Sequence, residues 1–401
     1  MRVITVWVTS LVLVIGVGVG IDAGTGFGRS SHSPRAIPAP WAIFSTPNAG
    51  AGGGRLNAVS CPSATSCTAV GGYIEEGGFD RTLAEHWDGS RWSIEAIPSP
   101  PFAYPGLDAV SCSSSSSCVT VGSYNTLKSA GHPPADKALV ARWDGQKWMS
   151  QEAPSPPGVS LNGVSCPSPS SCMAVGWYET RSGNERTLAE HWNGERWMIV
   201  STADRPGRSS VLEAVSCSST SSCIAVGESE PTFSGPQITL VERWDGASWA
   251  IEPTPNPTEY ARDFWLDTVS CPSAGFCTAI GYYDDAGNDV PIALTWNGSR
   301  WSVQAIPDPA PGKEARVMAV SCSSPSSCSA VGSYADSAWV FVTLAEGWDG
   351  RRWAVVPSAN PRRGDRYDTG FDGVSCLEVV GCTAVGGYTV SNQSVTLGER
   401  N

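Results

Sequence analysis

Fourteen cysteines stand in seven pairs, and five residues separate the two cysteines of every pair. Cys61 is paired with Cys67, Cys112 with Cys118, Cys166 with Cys172, Cys217 with Cys223, Cys271 with Cys277, Cys322 with Cys328, and Cys376 with Cys382. Residues flanking a five-residue hairpin loop face each other across two strands, with Cα atoms about 4.5 to 5.5 Å apart, which suits a disulfide. Zinc sites prefer closer cysteine pairs with histidine nearby, and this chain has only four histidines. The spacing predicts seven local disulfides, no metal site and no cofactor.

Aromatic side chains outside the repeated sequence, with acids among them, are the candidate binding residues. They are Tyr104, Trp177, Tyr260, Trp265, Tyr282, Trp339 and Tyr367, with Asp284 and Asp285 as the acids. Aromatic rings beside carboxylates suit stacking on sugars or holding a polar peptide. No Ser-His-Asp set can be assembled, so no catalytic residue is assigned.

The run "DDAGND", Asp284 to Asp289, raises the alternative of a calcium site, because it clusters carboxylate and amide oxygens. Its spacing is not that of an EF-hand loop. A solvated acidic turn is therefore the favoured interpretation.

One sequence unit recurs and must position these residues. The first copy is "LNAVSCPSATSCTAVGGY", a variable stretch, and "TLAEHWDGSRWSIEAIPSP", and the first cysteine returns every 51 or 54 residues. Each copy predicts four short strands, with a cysteine hairpin between the first two and a Trp-(Asp/Asn)-Gly hairpin between the last two. Seven such sheets arranged radially bury both of their faces. The fold predicted is all-β, a seven-bladed β-propeller of four-stranded antiparallel blades.

The seventh copy stops at Asn401, before its fourth strand, whereas the segment "WAIFSTPN" from Trp41 to Asn48 is an isolated fourth strand. An N-terminal strand that completes the last blade would close the ring and remove an open edge. We therefore predict that Trp41 to Pro47 pairs with the strand that contains Leu397.

The order of apolar strand, Gly-Gly-Tyr and a Trp-Asp-Gly turn resembles kelch-type propeller repeats, on "GGY" at Gly71 to Tyr73 and "WDGSRW" at Trp87 to Trp92. The pattern is also similar to secreted bacterial proteins built from SCxAVGxY and TLAExWDGxxW repeats, which are mostly uncharacterised. The turn differs from the Asp-box of sialidases by one residue between Asp and Trp. The resemblance implies the propeller fold over residues 41–401.

Residues repeated in every blade are best explained by the blade itself. This applies to the tryptophans of the turn and fourth strand. It also applies to the strand-three glutamates of five blades, Glu85, Glu190, Glu242, Glu346 and Glu399, which we expect to pair with a neighbouring blade. Strand alternation places the variable loops on one face of the ring, around the channel mouth. We therefore expect function at that face.

Composition and charge limit which partners, locations and functions the sequence allows. The net charge is −12 without a basic cluster, so nucleic acid is not an expected partner. Residues 1–23 resemble a signal peptide, with an uncleaved membrane anchor as the alternative, and residues 24–40 a flexible linker before the propeller at 41–401. We expect a secreted or cell-envelope monomer that binds an extracellular glycan or protein. The alternatives are a glycoside hydrolase or lyase with acids at the channel mouth, and a structural envelope protein.

Overall fold

A computed structural model describes residues 40–50, 52–100, 103–126, 136–205, 207–231, 235–255, 262–361, 367–378, 380–391 and 393–401. These belong to one compact unit, Pro38–Asn401. The predicted signal peptide and nearly all of the linker lie outside the described residues.

The described chain forms 28 strands in seven four-stranded antiparallel sheets. The first strand is β1 (Ala42–Phe44). Blade one is β2 (Gly54–Ser63), β3 (Ser66–Ile74), β4 (Asp80–Trp87) and β5 (Trp92–Glu95). Blade two is β6 (Ala103–Ser114), β7 (Ser117–Thr126), β8 (Asp136–Trp143) and β9 (Trp148–Ser150). Blade three is β10 (Ser160–Ser168), β11 (Ser171–Glu179), β12 (Glu185–Trp192) and β13 (Trp197–Val200). The predicted all-β fold of seven blades is confirmed.

The later blades follow the same order. Blade four is β14 (Arg208–Ser219), β15 (Ser222–Pro231), β16 (Ile238–Trp244) and β17 (Trp249–Ile251). Blade five is β18 (Arg262–Ser273), β19 (Phe276–Asp285), β20 (Asn288–Trp296) and β21 (Trp301–Gln304). Blade six is β22 (Ala315–Ser324), β23 (Ser327–Ala335), β24 (Phe341–Trp348) and β25 (Trp353–Val355). Blade seven is β26 (Tyr367–Leu377), β27 (Gly381–Val390) and β28 (Gln393–Arg400), completed by β1.

The ring closes as predicted, through the N-terminal strand. Ile43 pairs with Glu399 and Phe44 with Gly398, in antiparallel register. Across the seam between blades seven and one, the guanidinium of Arg400 lies 4.5 Å from the centroid of the Trp87 ring. The two ends of the described chain therefore share one blade.

The first strand of each blade is the innermost, because these seven strands contact one another in a closed cycle: β2, β6, β10, β14, β18, β22 and β26. Their serines join neighbouring blades. In blade two the backbone N–H of Cys112 donates to the hydroxyl of Ser60 in blade one, at 3.0 Å, and the same bond recurs at all seven interfaces at 2.9 to 3.0 Å. The Ser-Cys dipeptide thus gives each inner-strand N–H a partner in the preceding blade.

The seven predicted disulfides are all formed, and no cysteine is free. Each joins the first strand of a blade to the second. The bonds are Cys61 to Cys67, Cys112 to Cys118, Cys166 to Cys172, Cys217 to Cys223, Cys271 to Cys277, Cys322 to Cys328, and Cys376 to Cys382. Disulfides of this kind suggest an oxidising environment.

The geometry predicted around these cysteines was wrong in two respects. The paired Cα atoms lie only 3.9 to 4.1 Å apart, closer than the expected 4.5 to 5.5 Å. The cysteines also do not flank a five-residue loop, because the strands run past them: in blade four Ser219 still pairs with Ser222, which leaves a two-residue turn. The second cysteine of each pair accordingly lies inside the second strand rather than at the end of a loop. This correction applies to Cys67, Cys118, Cys172, Cys223, Cys277, Cys328 and Cys382.

Candidate functional site

In every blade the innermost strand has a β-bulge directly after its buried Leu, Val or Phe, besides the other register shifts that it carries. In blade one the bulged residue is Asn57, between the pairs Leu56–Gly71 and Ala58–Val70. The equivalent residues are Asp108, Asn162, Glu213, Asp267, Met318 and Asp372. A bulge takes its side chain out of the regular alternation of the strand. These seven residues, six of them polar, form a bulge ring around the propeller axis.

A glycine in the second strand permits each bulge. A Cβ atom added to Gly71 would lie 2.0 Å from the carbonyl oxygen of Arg55, and the six equivalent glycines would meet the same backbone atom at 2.0 or 2.1 Å. Two backbones approach too closely there for any side chain. The glycine of the repeated "AVG" motif is therefore required by the bulge.

Several members of the bulge ring reach the next blade. The Nδ2 of Asn57 donates to the carbonyl of Leu107 at 2.9 Å, and the Nδ2 of Asn162 donates to a carboxylate oxygen of Glu213 at 3.0 Å. Between blades seven and one, Arg55 forms an ion pair with Asp372, with 2.6 Å between Nε and Oδ2. The ring is thus linked across blade boundaries.

Four carboxyls on blades two, four and five form what we call the acidic arc: Asp108, Glu213, Glu228 and Asp267. Desolvation by the surrounding protein raises the pKa of Asp108, whose side chain is solvent-exposed, to about 6 and that of the partly buried Asp267 to about 7. Burial also raises the pKa of Glu228 to about 9, and the neighbouring carboxyls Glu213 and Asp267 contribute to this rise. Each of Glu228 and Asp267 has one buried carboxyl oxygen without a hydrogen-bond partner in the described part of the chain. Desolvation and the neighbouring negative charges therefore both favour the protonated form of Glu228.

Above the bulge ring, toward the variable loops, lies a second layer that we call the mouth layer. It consists of the residue before each buried Leu, Val or Phe and its cross-strand partner. From blade one to blade seven these pairs are Arg55–Gly72, Gly106–Ser123, Ser160–Trp177, Val211–Glu228, Trp265–Tyr282, Arg316–Ser333 and Gly370–Gly387.

The composition of the mouth layer changes around the ring. Every blade from three to six contributes a large aromatic or charged residue, whereas blades seven and two contribute only Gly and Ser. Between those two, blade one contributes Arg55, whose guanidinium is held by Asp372. The aromatic residues are thus confined to one side of the channel mouth, which we call the rich side.

The centre of the rich side is a three-layer stack. The rings of Trp265 and Tyr282 lie 4.7 Å apart and within 17° of parallel. The guanidinium of Arg316, from blade six, lies 4.8 Å from the centroid of Tyr282 and forms an ion pair with Asp289, with 2.5 Å between Nε and Oδ2. Burial, with Asp267 nearby, raises the pKa of Tyr282 to about 12. The stack is a partly exposed wall with hydrogen-bonding groups at its edge.

The strand-three glutamates form a different set, the scaffold carboxyls, each at most 1% exposed. Burial raises the pKa of Glu85, Glu190, Glu346 and Glu399 to about 8 and that of Glu242 to about 7. The expected pairing with a neighbouring blade occurs in two cases. The backbone N–H of Ala203 donates to Glu242 and that of Ala359 to Glu399, both from the preceding blade's exit segment.

The remaining scaffold carboxyls lack that bond for a reason visible in the sequence. Ala203 and Ala359 stand six residues after a fourth-strand tryptophan. The residues at the same place before Glu85, Glu190 and Glu346 are Pro47, Pro154 and Pro307. Proline has no N–H to donate. Both carboxyl oxygens of these three glutamates have no partner among the described residues.

The structure places the predicted binding residues in two groups. Trp177, Trp265 and Tyr282 belong to the mouth layer of blades three and five. Trp265 lies within β18, the first strand of blade five. The others lie toward the rim: Tyr104 near the start of β6, Asp284 and Asp285 at the β19–β20 hairpin, Trp339 in the β23–β24 turn, and Tyr367 at the start of β26. Tyr260 lies outside the described residues.

Sequence reasoning missed the acidic arc and Arg316. The signal was available, since the residue before "AVSC" and its counterparts differs between copies while its neighbours are repeated. In the sequence, this residue has the pattern of a solvent-facing position in a short strand. That pattern gives no reason to place its side chain at the propeller axis. The β-bulge that moves this side chain toward the axis forms only where a glycine of the second strand packs opposite it.

In the described ranges, no group of three or more His, Cys, Asp or Glu side chains is arranged to hold a metal ion. The "DDAGND" run forms the hairpin between β19 and β20, where Asp284 pairs with Asp289 and accepts a bond from the N–H of Gly287. The described part of the chain also contains no helix that is long and apolar enough to span a membrane.

No protein-family model matches this chain, and no curated protein matches it. Solved structures do match. One, described as YCF48 bound to D1 peptide, has a TM-score of 0.52 and 14% identity, over 91% of this chain and 99% of that one. Another, a PL25 ulvan lyase bound to -[GlcA(1-4)Rha3S]-, has a TM-score of 0.54 and 11% identity, over 82% and 89%. At such identities the likeness is of fold alone, and the kelch resemblance stays a prediction.

Proposed function

We propose that this protein is a secreted binding module that holds an extracellular glycan in the channel mouth at blades three to six. The observation that carries the proposal is the uneven mouth layer. Equivalent positions hold Trp, Tyr, Glu and Arg on the rich side and only Gly and Ser in blades seven and two. A scaffold has no need of that difference, because seven blades close in the same way with either set.

The chemistry of the rich side suits a sugar. Trp177 and the Trp265–Tyr282 pair offer apolar ring faces, which pack against the C–H face of a pyranose. The protonated Glu228 donates a hydrogen bond and the guanidinium of Arg316 donates several, to hydroxyl or carboxylate oxygens. A few polar groups set among aromatic rings are typical of a site that recognises a polar ligand.

The exported location is also part of the proposal. Seven disulfides suit an oxidising compartment, and residues 1–23 resemble a signal peptide. We expect an oxidised, monomeric protein outside the cytoplasm.

A glycan array probed with the oxidised protein tests the proposal. The double variant Trp265→Ala/Tyr282→Ala should lose at least about 100-fold in affinity for any glycan the wild type retains, because it removes the stacking wall. The matched control is Gly106→Ala/Ser123→Ala at the equivalent positions of blade two, where a Cβ on Gly106 would meet only Oδ1 of Asp108, at an ordinary contact distance of 3.8 Å. Equal losses in both variants, or a wild type that binds no glycan, would contradict the proposal.

A glycoside hydrolase or lyase is the second candidate, and one observation favours it. Glu228 and Asp267 interact electrostatically, yet their pKa values are about 9 and about 7. Two neighbouring carboxyls whose pKa values are set apart by their surroundings are typical of acid–base catalysis. Release of reducing ends or unsaturated sugars by the wild type, abolished by Glu228→Gln with binding retained, would establish an enzyme instead of a binding module.

A further inference from the structure

The turn between the second and third strands has the same pair of backbone hydrogen bonds in blades one, three and six. In blade three the N–H of Thr180 donates to the carbonyl of Asn184, and the N–H of Gly183 donates to the carbonyl of Thr180. The same two bonds form between Glu75, Phe79 and Gly78 in blade one, and between Asp336, Val340 and Trp339 in blade six. The fourth residue of this turn can therefore be compared directly between blades.

That fourth residue adopts a left-handed conformation in all three turns. Its φ is +82° at Gly78, +78° at Gly183 and +58° at Trp339. Glycine adopts this conformation without a steric cost, whereas a bulky residue is an outlier there. The fold therefore favours glycine at the position that Trp339 occupies.

The Trp339 side chain does not offset this cost by burial. It is 63% exposed, the most exposed large hydrophobic residue in the described part of the chain. The Nζ of Lys313 lies 4.8 Å from its ring centroid and donates to the carbonyl of Asp336, which holds the turn and one side of the ring. The rest of the ring faces solvent. At this position of the turn, glycine would therefore stabilise the fold more than an exposed tryptophan does.

One short segment joins this ring to the channel mouth. Lys313, which contacts Trp339, is three residues before Arg316, which stacks on Tyr282. Three extended residues span at most about 10 Å. The Cα atoms of the residue that contacts Trp339 and of the residue that stacks on Tyr282 therefore lie within about 10 Å of each other, so blade six contributes to both.

We infer that Trp339 is a second contact for the ligand, and that this ligand is an oligosaccharide of several linked rings rather than a single sugar. The inference rests on the proposed function at the channel mouth. One ring of the glycan stacks at Trp265 and Tyr282, and a later ring of the same chain stacks on Trp339. The strained turn is retained because it presents that ring.

The test compares Trp339→Gly with the wild type on an array of immobilised glycans of graded length. Trp339→Gly should leave the thermal midpoint unchanged or raise it by a few degrees, since it restores the residue that blades one and three use. Affinity for the longer glycans should fall at least about tenfold, while disaccharide binding stays as it was. Trp339→Phe, which keeps a ring, should restore most of the long-glycan signal.

The matched control is Gly183→Trp, which places the same side chain in the same turn of blade three. It should lower the thermal midpoint and give no gain in binding. Unchanged long-glycan affinity in Trp339→Gly, or a midpoint more than about 5 °C lower, would overturn the inference while wild-type binding still supports the proposed function. A wild type that binds no glycan of any length would overturn both.

Discussion

Two sets of carboxyls with raised pKa values in one propeller show how repetition separates scaffold from site. The scaffold carboxyls recur in strand three of five blades, fully buried between sheets, at positions that blades two and five fill with Ala141 and Leu294. The acidic arc occupies the propeller axis in three blades, among residues that change from blade to blade. Both sets have pKa values raised by burial. A raised pKa is therefore not enough to identify a functional acid in this fold. Departure from the repeat is the better guide.

The largest expected effect is on the pH dependence of stability, to which both sets contribute. The folded protein holds the protons of the scaffold carboxyls to about pH 8, whereas an unfolded glutamate loses its proton near pH 4.5. Their stabilising contribution is complete below about pH 4.5 and is lost as the pH rises toward 8. The thermal midpoint should fall by on the order of 10 °C between pH 5 and pH 8.5. A midpoint that rises over that range in calorimetry would show that these carboxyls are ionised when folded.

Replacing one scaffold carboxyl tests whether the scaffold carboxyls and the acidic arc have different roles. Glu190→Leu copies the residue that blade five has at Leu294 and removes a buried carboxyl that has no partner among the described residues. We expect a thermal midpoint about 2 to 4 °C higher at pH 8.5, little change at pH 5, and unchanged glycan affinity. Glu190→Gln, which keeps shape and removes charge, is the control. Loss of binding in Glu190→Leu would place the scaffold carboxyls in the site.

The corresponding substitution in the acidic arc should change glycan affinity and leave stability nearly unchanged. Asp267→Asn removes the titrating proton of a channel residue. We expect the thermal midpoint to move by less than about 2 °C, while glycan affinity changes by about tenfold or more. Isothermal titration against a glycan that the array identifies measures the affinity. A variant that melts much earlier and binds normally would make Asp267 a structural residue.

The smallest expected effect is a change in the pKa of one scaffold carboxyl. It tests why some scaffold carboxyls lack a hydrogen-bond donor from the preceding blade. Pro154→Ala supplies the backbone N–H that Glu190 lacks, at the place from which Ala203 donates to Glu242. The pKa of Glu190 should fall, because a hydrogen bond to the carboxylate favours its charged form. Carbon-detected NMR titration of labelled glutamate measures this. An unmoved titration would mean that the exit segment does not approach Glu190.

Local pattern was enough for the scaffold. The cysteine spacing, the Trp-Asp-Gly turns and the unit length each act within one repeat of 51 or 54 residues, so the sequence predicted the blades, the disulfides and the completion of blade seven by β1. The site depends on relations that no local pattern contains. Register makes Trp265 and Tyr282 neighbours, and the packing of blade six against blade five brings Arg316 onto Tyr282.

The sequence by itself determined how many sheets form and how the ring closes, because hydrogen-bonding hairpins and buried tryptophans recur with each copy. Only the tertiary structure decided which polar residues meet at the axis. The glycine opposite each inner strand permits a bulge, and the bulge moves one residue out of the two-residue alternation. A side chain that would be an ordinary face residue in a flat strand thereby joins six others around one channel. The packing of the blades into a closed ring then determines which side chains it contacts.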